Sequence, residues 1–287
     1  MRETRSLRTL LRRGHLVVAP GVYDLISARM LAQHDVECAY MTGFGVVASH
    51  LGLPDAGLAT YTDMVERARL IAGAVGAPLI ADADTGYGGL LNVRHTVRGY
   101  EAAGAAGMQI EDQEFPKKCG HTPGRRVVPV EDMVRKVEVA SDSRSSADFL
   151  IVARTDARTA LGLDEALRRA EAYAKAGADV LFIEAPESED ELATIGRSFD
   201  LPLIVNVVEG GSTPVLTRER YAELGFQLAI FPAAGFLATA AALDAVYGAL
   251  ARTGVAAEAN VPLHDFRAFC SILGFDDVHD FERRWAS

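Results

Sequence analysis

The chain has 287 residues, of which 49% are hydrophobic and 24% are charged, and its net charge is −10. This composition is that of a globular protein, and the length suits a single α/β barrel. The negative charge excludes nucleic acid as the main partner, because no basic surplus is available to neutralise phosphates. We find no apolar run of about 18 residues and therefore expect no membrane span.

The N-terminal segment, residues 1–13, is rich in arginine, as transit peptides are. It runs straight into the first apolar segment and lacks the long apolar core of a secretion signal, so we interpret it as an ordinary first helix. The three cysteines, Cys38, Cys119 and Cys270, lie far apart in the chain. An odd number of widely separated cysteines predicts a reducing, cytoplasmic compartment rather than a disulfide framework.

Eight short apolar runs alternate with longer segments of helical periodicity. The predicted strands are 16–19, 38–41, 79–81, 107–110, 149–153, 180–183, 203–207 and 228–231. Helices such as 131–140 and 164–176 are predicted between them. Continuous apolar strands joined through helices form parallel sheets that are covered on both faces. Over residues 1–254 this pattern predicts a (β/α)8 TIM barrel, which we prefer to a doubly wound sheet because no Gly-x-Gly-x-x-Gly follows the first strand.

The remaining residues, 255–287, are predicted to form a C-terminal helical extension. Large apolar side chains recur through it: Leu263, Phe266, Phe269, Ile272, Leu273, Phe275, Phe281 and Trp285. A lone appendage would not expose so much apolar surface, so we expect this segment to pack on a partner subunit of a homo-oligomer.

Carboxylates follow two neighbouring predicted strands, at the barrel end where active sites lie. Asp82 and Asp84 follow the third strand two residues apart, so on a strand both would point to one face. Glu111 follows the fourth strand. Three carboxylates indicate a hard cation, Mg²⁺ or Mn²⁺, rather than zinc, because only His121 among the 7 histidines lies near them. The alternative is that the two aspartates only cap loop amides.

Arg154 follows the fifth predicted strand and admits two interpretations. It could clamp a substrate carboxylate through two parallel hydrogen bonds, or it could form a buried ion pair with Asp156 or Glu184. The backbone amides of residues 42–45 and 210–212 could bind a second carboxylate. The polar groups together indicate a site for a small polyanion.

The segment 111–127 shows neither helical nor strand periodicity, which is long for a βα loop and predicts a lid. Cys119 lies in it beside glycine and cationic neighbours, which favours a catalytic thiol over an inert one. Lys117, Lys118 and His121 would favour the thiolate, whereas a proton donor must stay protonated, and both possibilities remain open. His121 is either a loop residue or a catalytic one. A Schiff-base lysine is not expected at a strand end, because Lys117 and Lys118 lie in the glycine-rich loop and the other two lysines, Lys136 and Lys175, lie on predicted helices.

These motifs resemble the isocitrate lyase/phosphoenolpyruvate mutase superfamily. The matching segments are 82–88 (Asp-Ala-Asp-Thr-Gly-Tyr-Gly), 111–121, which ends in Lys-Lys-Cys-Gly-His, and 152–157 (Val-Ala-Arg-Thr-Asp-Ala). The likeness extends over roughly residues 10–250, and the cysteine-bearing loop is similar to that of the carbon–carbon lyase branch. The resemblance implies a Mg²⁺-dependent barrel and a homotetramer whose C-terminal helices swap between neighbours.

The resemblance also implies roles for individual residues. Asp82 and Asp84 would lie at Mg²⁺ with Glu111 in its water shell, and Cys119 would protonate the departing carboxylate enolate. Substrate contacts are implied for Thr42, Gly43, Phe44, Asp55, Gly120, Arg154, Glu184 and Asn206, with Tyr23 near the reacting hydroxyl and His121 among the catalytic groups. The implied reaction is retro-aldol (retro-Claisen) cleavage of a 2-hydroxy acid that carries a second carboxylate on the next carbon.

Three positions bear on the choice of branch. Residues 206–214 resemble members that cleave 2-alkylmalates, such as petal death protein and 2,3-dimethylmalate lyase. Leu237 stands where methylisocitrate lyases carry an arginine for a third carboxylate, a role that Arg267 could fill, and Pro232 stands where oxaloacetate hydrolases tend to place serine. We therefore expect a 2-alkylmalate lyase, then a methylisocitrate lyase, then an oxaloacetate decarboxylase or hydrolase or a C–P bond mutase. A non-catalytic barrel that binds dicarboxylates is the alternative from another class.

Overall fold

The computed structural model describes residues 6–120, 122 and 124–286. It divides into two compact units, with the boundary between Ala234 and Gly235. The predicted boundary, after residue 254, falls instead at the end of the helix Ala234–Thr253.

The first unit is a closed barrel of eight parallel strands, in which each strand pairs with the next and the eighth pairs with the first. The strands are β1 (Val17–Val22), β2 (Ala39–Met41), β3 (Leu79–Asp82), β4 (Gly107–Glu111), β5 (Leu150–Thr155), β6 (Val180–Ile183), β7 (Leu203–Asn206) and β8 (Leu228–Phe231). The predicted (β/α)8 TIM barrel is confirmed. The strands are almost entirely buried because helices cover their outer face, as the continuous apolar runs indicate.

Strand β1 extends furthest beyond its predicted end. β1 continues through Pro20 and Gly21, a pair that in isolation signals a turn. Pro20 lies opposite Phe231, and a Cβ atom on Gly21 would lie 2.6 Å from the carbonyl oxygen of Pro232. Glycine is therefore required where β1 passes the end of β8, and the Pro-Gly pair reflects this close approach rather than a turn.

Helices connect the strands and form the outer layer. They are α1 (Leu7–Leu10), α2 (Leu25–Leu31), α3 (Gly43–Leu51), α4 (Tyr61–Val75), α5 (Leu90–Ala102), α6 (Val130–Ser143), α7 (Ala157–Leu161), α8 (Leu163–Lys175), α9 (Glu189–Ser198) and α10 (Arg218–Glu223). The predicted helices 131–140 and 164–176 correspond to α6 and α8. Each of these two helices buries one apolar stripe, which is the helical periodicity that identified it.

The arginine-rich N-terminal segment contains a helix, as expected. Leu7, Leu10 and Leu11 are buried in the same apolar cluster as the first residues of strands β1, β5, β6 and β8. Helix α1 and the residue after it therefore form part of the hydrophobic core at the N-terminal end of the barrel.

The second unit is helical. It contains α11 (Ala234–Thr253), a 3₁₀ turn (Ala256–Ala259), α12 (Phe266–Ile272) and α13 (Phe275–Trp285). Helix α11 has 20 residues and a mean hydropathy of 1.5, so by length and composition it could cross a membrane, which the sequence analysis did not expect. One such helix is weak evidence of a span, since much of its hydropathy comes from alanine and Asp244 lies within it.

Apolar side chains are exposed throughout the second unit. Those of α12 and α13 include Phe266, Phe281 and Trp285, each of which is at least 65% exposed. A water-soluble monomer rarely leaves so much large apolar surface uncovered.

Candidate active site

A cavity lies at the C-terminal ends of the barrel strands. Its lining comes from six strand ends or the loops after them, and from the long loop between β4 and α6: Tyr40, Thr42, Phe44, Asp55, Asp82, Glu111, Lys117, Lys118, Cys119, Gly120, Arg154, Asn206, Ile230 and Pro232. Active sites of TIM barrels occur at this end. Most of the polar residues singled out in the sequence therefore line one cavity or contact residues that do.

The two aspartates of the third strand are placed differently from each other. Asp82 is the last residue of β3, and its carboxylate accepts hydrogen bonds from the amides of Gly43 at 3.2 Å and Asp84 at 3.1 Å. Asp84 lies beyond the strand, in left-handed backbone with a φ of 47°. The expectation that both project from one strand face is wrong, because the chain turns into the glycine-rich segment immediately after Asp82.

Lys117 is a site residue that the sequence analysis missed. Its ammonium lies 2.7 Å from Asp84 Oδ1 and 2.6 Å from Asp55 Oδ1, and its side chain is only 3% exposed. Burial lowers the pKa of this lysine, but the charges of Asp84, Glu111 and Asp55 outweigh it and hold the pKa well above its usual value. Lys117 lies in the glycine-rich loop, as expected, but it is a buried cation there. A Schiff-base nucleophile must be a neutral amine, so the raised pKa does not favour that role for Lys117.

We call Asp55, Asp82, Asp84, Glu111 and Lys117 the carboxylate cluster. It holds four carboxylates and a single ammonium group. Burial, the Lys117 charge that opposes it, and the charges of Asp82 and Asp55 together raise the pKa of Asp84 to about 6. Burial also raises the pKa of Glu111 well above its usual value. The main cause of both shifts is burial of the carboxylate, to which neighbouring acids add.

The carboxylate cluster fits a hydrated divalent cation. Oε1 of Glu111 is buried and accepts no hydrogen bond from the described residues. Within residues 6–120, 122 and 124–286, no three histidine, cysteine, aspartate or glutamate side chains converge closely enough to ligate one ion directly. Mg²⁺ keeps several of its waters and takes few direct carboxylates, so a surplus of nearby carboxylates suits it better than a closed cage would.

Arg154 also lines the cavity and is held by carboxylates, among them Glu111, whose Oε2 lies 3.4 Å from its Nε. Its Nε and Nη2 atoms donate to the two oxygens of Asp156 at 2.9 and 2.8 Å, and Nη1 lies 3.2 Å from Glu184 Oε2. Asn206 donates to the same glutamate at 3.2 Å. Arg154 therefore forms the buried ion pairs that were one of its two predicted roles. Because its guanidinium also lines the cavity, these ion pairs do not conflict with the other predicted role, the binding of a substrate carboxylate.

The loop between β4 and α6 runs from Asp112 to Pro129 and lacks helices and strands among its described residues, as expected. An isolated bridge joins Gln113 to Val127 across its base. Cys119 is half-buried, lines the cavity and donates its amide to the carbonyl of Asp55 at 3.2 Å. A Cβ atom on Gly120 would overlap Nη2 of Arg154 and lie 3.0 Å from Cδ of Glu184, so only glycine permits this approach.

Other residues proposed from the sequence surround the cavity. Thr42 caps α3 by accepting a hydrogen bond from the Gly45 amide at 3.3 Å, and Phe44 lines the cavity. Tyr23 follows β1 and is buried against Gly45, outside the cavity lining. His121 lies outside the described residues. The amides proposed as an anion site are partly engaged, since that of Gly43 donates to Asp82 and that of Gly45 to Thr42.

Two further features were missed. Tyr40 lines the cavity from β2 and donates to Gln109 Oε1 at 2.9 Å, although in the sequence it reads as a core residue of a strand. Arg125 contacts the Asp156 carboxylate from the loop at 2.6 Å. The available signal was weak for both residues, because their contacts join segments that are distant in sequence.

Comparison with known proteins agrees with this geometry. The profile of the phosphoenolpyruvate phosphomutase family matches residues 7–251. The chain is 44% identical to 2,3-dimethylmalate lyase of Eubacterium barkeri, over 100% of this chain and 99% of that protein, and 40% identical to 2-methylisocitrate lyase of Aeropyrum pernix, over 97% and 88%. An oxaloacetate acetylhydrolase with bound 3,3-difluorooxalacetate superposes with a TM-score of 0.92 at 36% identity, over 99% and 97% of the two chains. The predicted family is confirmed: the chain is an enzyme of the isocitrate lyase/phosphoenolpyruvate mutase superfamily.

Proposed function

We propose that the protein is a Mg²⁺-dependent carbon–carbon lyase that cleaves a 2-hydroxy dicarboxylate of the 2-alkylmalate type into pyruvate or another 2-oxo acid and a carboxylate. The observation that carries this proposal is the placement of Cys119. Its thiol group belongs to a loop that lines the same cavity as Asp82, Glu111 and Arg154. A proton donor, a cation-binding acidic side and an anion-binding arginine thus face one small space.

The reaction breaks one carbon–carbon bond and moves two protons, one from the C2 hydroxyl to a base and one from the Cys119 thiol to C3, after which the Cys119 thiolate regains a proton. The hydroxyl group of C2 loses its proton, its electron pair forms the carbonyl of the 2-oxo acid, and the C2–C3 bond breaks. The electron pair of that bond passes to C3 as a carboxylate enolate, and the Cys119 thiol protonates C3. The net change transfers the hydroxyl hydrogen to C3, so no redox cofactor is needed. The group that accepts the hydroxyl proton is left open.

Two groups of residues would divide this work. Asp82 and Asp84, with Glu111 in the outer shell, would hold Mg²⁺, which when bound lowers the pKa of a coordinated hydroxyl group and polarises a 2-oxo acid. Arg154, which lies next to Glu111, would bind the second carboxylate through its planar guanidinium. Its neighbours keep it charged, because Asp156, Glu184 and Glu111 outweigh the effect of burial and raise its pKa.

Substrate contacts are proposed for the residues around these groups. They are Thr42, Gly43, Phe44, Asp55, Gly120, Glu184 and Asn206, with Tyr23 near the reacting hydroxyl and His121 as a further catalytic group. Glu184 and Asn206 support this assignment because they contact each other beneath Arg154. Gly120 supports it because its approach to Arg154 brings the loop backbone over the clamp.

The 2-alkylmalate class ranks first for two reasons. The relative named 2,3-dimethylmalate lyase covers the whole chain, and Leu237 replaces the arginine that the resemblance assigns to a third carboxylate in methylisocitrate lyases. Oxaloacetate hydrolysis ranks lower because Pro232, which lines the cavity, supplies no hydroxyl group. Because the structure is similar to that of an oxaloacetate acetylhydrolase, oxaloacetate is included among the substrates to be tested.

A substrate screen tests the proposal. The purified protein with Mg²⁺ is incubated with 2-alkylmalates, 2-methylisocitrate, oxaloacetate and phosphonopyruvate; pyruvate formation is followed with a coupled dehydrogenase, and loss of each substrate and the other products are followed by NMR. We expect the 2-alkylmalates to give the largest kcat/KM. Faster turnover of oxaloacetate or phosphonopyruvate would support a hydrolase or a mutase, and binding without turnover of any compound would support a non-catalytic barrel.

The thiol is tested with a matched pair of variants. Cys119→Ser should lower kcat about 10²–10⁴-fold, since a serine hydroxyl is a much weaker acid and a positioned proton donor contributes a factor of this size. Its affinity for oxalate, an analogue of the pyruvate enolate, should not change. Cys270→Ser, in the second unit, should behave as the wild type. An unchanged kcat for Cys119→Ser would remove the proposed proton donor.

We also propose that the protein forms a homotetramer in the cytoplasm with exchanged C-terminal helices. The exposed Phe266, Phe281 and Trp285 support this, because a partner subunit would bury them. Light scattering of the eluted protein should give a mass near four times 30.7 kDa. Replacing all three side chains by serine should weaken the tetramer, so that a smaller oligomer or a monomer is measured. A monomeric wild-type protein would contradict the proposal.

A further inference from the structure

A buried ion network lies behind Arg154 and has no part in the reaction as described so far. Oδ1 of Asp156 lies 2.6 Å from Nη1 of Arg125 and 2.8 Å from Nη2 of Arg154, and its Oδ2 accepts from Nε of Arg154 at 2.9 Å. All three side chains are almost completely buried. One carboxylate thus joins an arginine of the cavity to an arginine of the β4–α6 loop.

Arg125 also contacts the part of the loop that carries Cys119. Its Nε donates to the carbonyl oxygen of Thr122 at 3.2 Å, and its Nη2 donates to Oγ1 of Thr159 at 2.8 Å. Thr122 in turn donates to the carbonyl oxygen of Cys119, from its amide at 3.0 Å and from its hydroxyl at 2.8 Å. Arg125 therefore helps to fix the turn between Cys119 and Thr122 to the body of the barrel, together with the Asp55 carbonyl that accepts from the Cys119 amide.

The anchor of this arrangement is itself fixed. The amide of Asp156 donates to Oδ1 of Asp112 at 2.9 Å, and Oδ2 of Asp112 accepts from the hydroxyls of Thr155 and Tyr173, both at 2.7 Å. Arg169 lies 3.1 Å from the same oxygen. We call Asp112, Arg125, Arg154, Asp156, Arg169 and Tyr173 the Asp156 cluster. Its members other than Arg154 do not line the cavity.

We propose that Arg125 is a positioning residue, which holds the Cys119 turn and Arg154 on the shared Asp156 carboxylate so that the proton donor keeps a fixed place relative to the carboxylate clamp. This inference rests on the proposed function of Cys119 and Arg154. Arginine suits the task because its planar guanidinium presents donors in fixed directions, here to Asp156, Thr159 and Thr122 at once. Displacing a reacting group by about 1 Å can lower a rate about 10²-fold, so the fixation has a catalytic consequence.

The variant Arg125→Met removes the guanidinium group, with its three hydrogen-bonding directions, and keeps much of the side-chain length. The matched control is Arg126→Met, the adjacent residue, whose side chain is 78% exposed and pairs with Glu114 at the surface. The measured quantity is the rate at which iodoacetamide alkylates Cys119 in the enzyme without substrate, followed by mass mapping of the Cys119 peptide. We expect Arg125→Met to raise this rate about tenfold or more because the turn is released, with a comparable fall in kcat and a smaller change in KM.

Two further variants keep the test decisive if Arg125→Met does not fold. Arg125→Lys preserves the charge beside Asp156 but not the bonds to both threonines, and Thr159→Val removes a single hydrogen bond at the surface. Both should raise the alkylation rate above that of the wild type, by less than Arg125→Met where that variant folds, while Arg126→Met should match the wild type. Equal alkylation rates in all folded variants would overturn the inference.

The outcome is separable from that of the proposed function. Alkylation is measured without substrate, so it reports the position of the Cys119 turn even if no candidate acid is cleaved. Failure of the substrate screen with a clear effect of Arg125→Met would reject the lyase and leave Arg125 as the residue that holds the loop. If a candidate acid is cleaved but Arg125→Met does not change the alkylation rate, the lyase proposal stands and the positioning role of Arg125 is rejected.

Discussion

The carboxylate cluster and the Asp156 cluster, which meet where Glu111 lies 3.4 Å from Arg154, handle buried charge in opposite ways. In the Asp156 cluster two carboxylates meet three guanidinium groups, and each carboxylate oxygen has a donor from the chain. In the carboxylate cluster four acids surround one ammonium, and the pKa values of two of them are raised. The surplus of donors in the first cluster suits the proposed role of holding other groups in place. The surplus of acids in the second suits the cation that we propose binds there.

The largest expected effect tests the carboxylate cluster. Asp84→Asn should lower kcat/KM at least about 10³-fold at saturating Mg²⁺, because a bound metal contributes several kcal/mol of charge stabilisation. Calorimetric titration with Mg²⁺ should show weakened binding. The control Asp132→Asn changes an exposed aspartate that pairs with Arg135, and it should leave both measurements unchanged. Unaltered Mg²⁺ affinity in Asp84→Asn would remove this residue from the metal site.

The next effect contrasts the stabilities of the two clusters without metal. Asp156→Asn should lower the free energy of unfolding by about 3–5 kcal/mol, because two buried arginines lose their shared anion. Asp84→Asn should change it far less. Burial raises its folded pKa to about 6, above the ordinary value of 3.8, so ionisation of Asp84 increasingly destabilises the folded state above pH 3.8 and does so fully above pH 6, and the neutral amide removes that penalty. Urea unfolding at pH 8 with a chelator measures both, and equal losses would break the comparison.

A smaller effect tests the anchor of the Asp156 cluster. Tyr173→Phe removes the hydroxyl that donates to Asp112 at 2.7 Å and should cost about 1–2 kcal/mol of unfolding free energy, because the acceptor is charged but keeps other donors. Tyr247→Phe, at a side chain that is 61% exposed, is the matched control and should be neutral. A neutral Tyr173→Phe would mean that Thr155 and Arg169 suffice to fix Asp112.

The smallest effect concerns a carboxylate outside both clusters. Hydrogen bonds from Arg168, and to a lesser extent Arg169, lower the pKa of Glu165 to about 2. A lowered folded pKa means that the stabilisation is present above the ordinary pKa of 4.5 and is lost as the pH falls towards 2. Since the pair lies at the surface, Glu165→Gln should cost only about 0.5 kcal/mol at pH 7. Thermal unfolding should show this difference shrinking between pH 6 and pH 3, and a difference independent of pH would exclude the ion pair as its cause.

The barrel could be predicted from the sequence because its signals are local. Each strand is a continuous apolar run, and the polar residue after it belongs to the same short segment, so Asp82, Glu111 and Arg154 were identified together with their strands. The extension of β1 was missed because Gly21 is required by Pro232, which lies far along the chain.

The cations that pair with the carboxylates of the two clusters could not be predicted, because their partners are distant in sequence. Lys117 bridges Asp55 and Asp84, and Arg125 bridges Thr122 and Asp156, but no periodicity or spacing links these positions. A lysine or an arginine in a glycine-rich loop reads as solvated, since burial of a charge is decided by which partners the fold brings to it. The left-handed backbone of Asp84 was hidden for a similar reason, because the chain turns only one residue beyond Asp82.

The short N-terminal helix has a consequence for the other end of the barrel. Leu7, Leu10 and Leu11 cover the first residues of four strands, beneath the layers of side chains on which the cavity rests. Proteolysis that removed these leucines would expose the N-terminal end of the barrel interior to water. Helix α1 and Leu11 thus close the N-terminal end of the barrel interior.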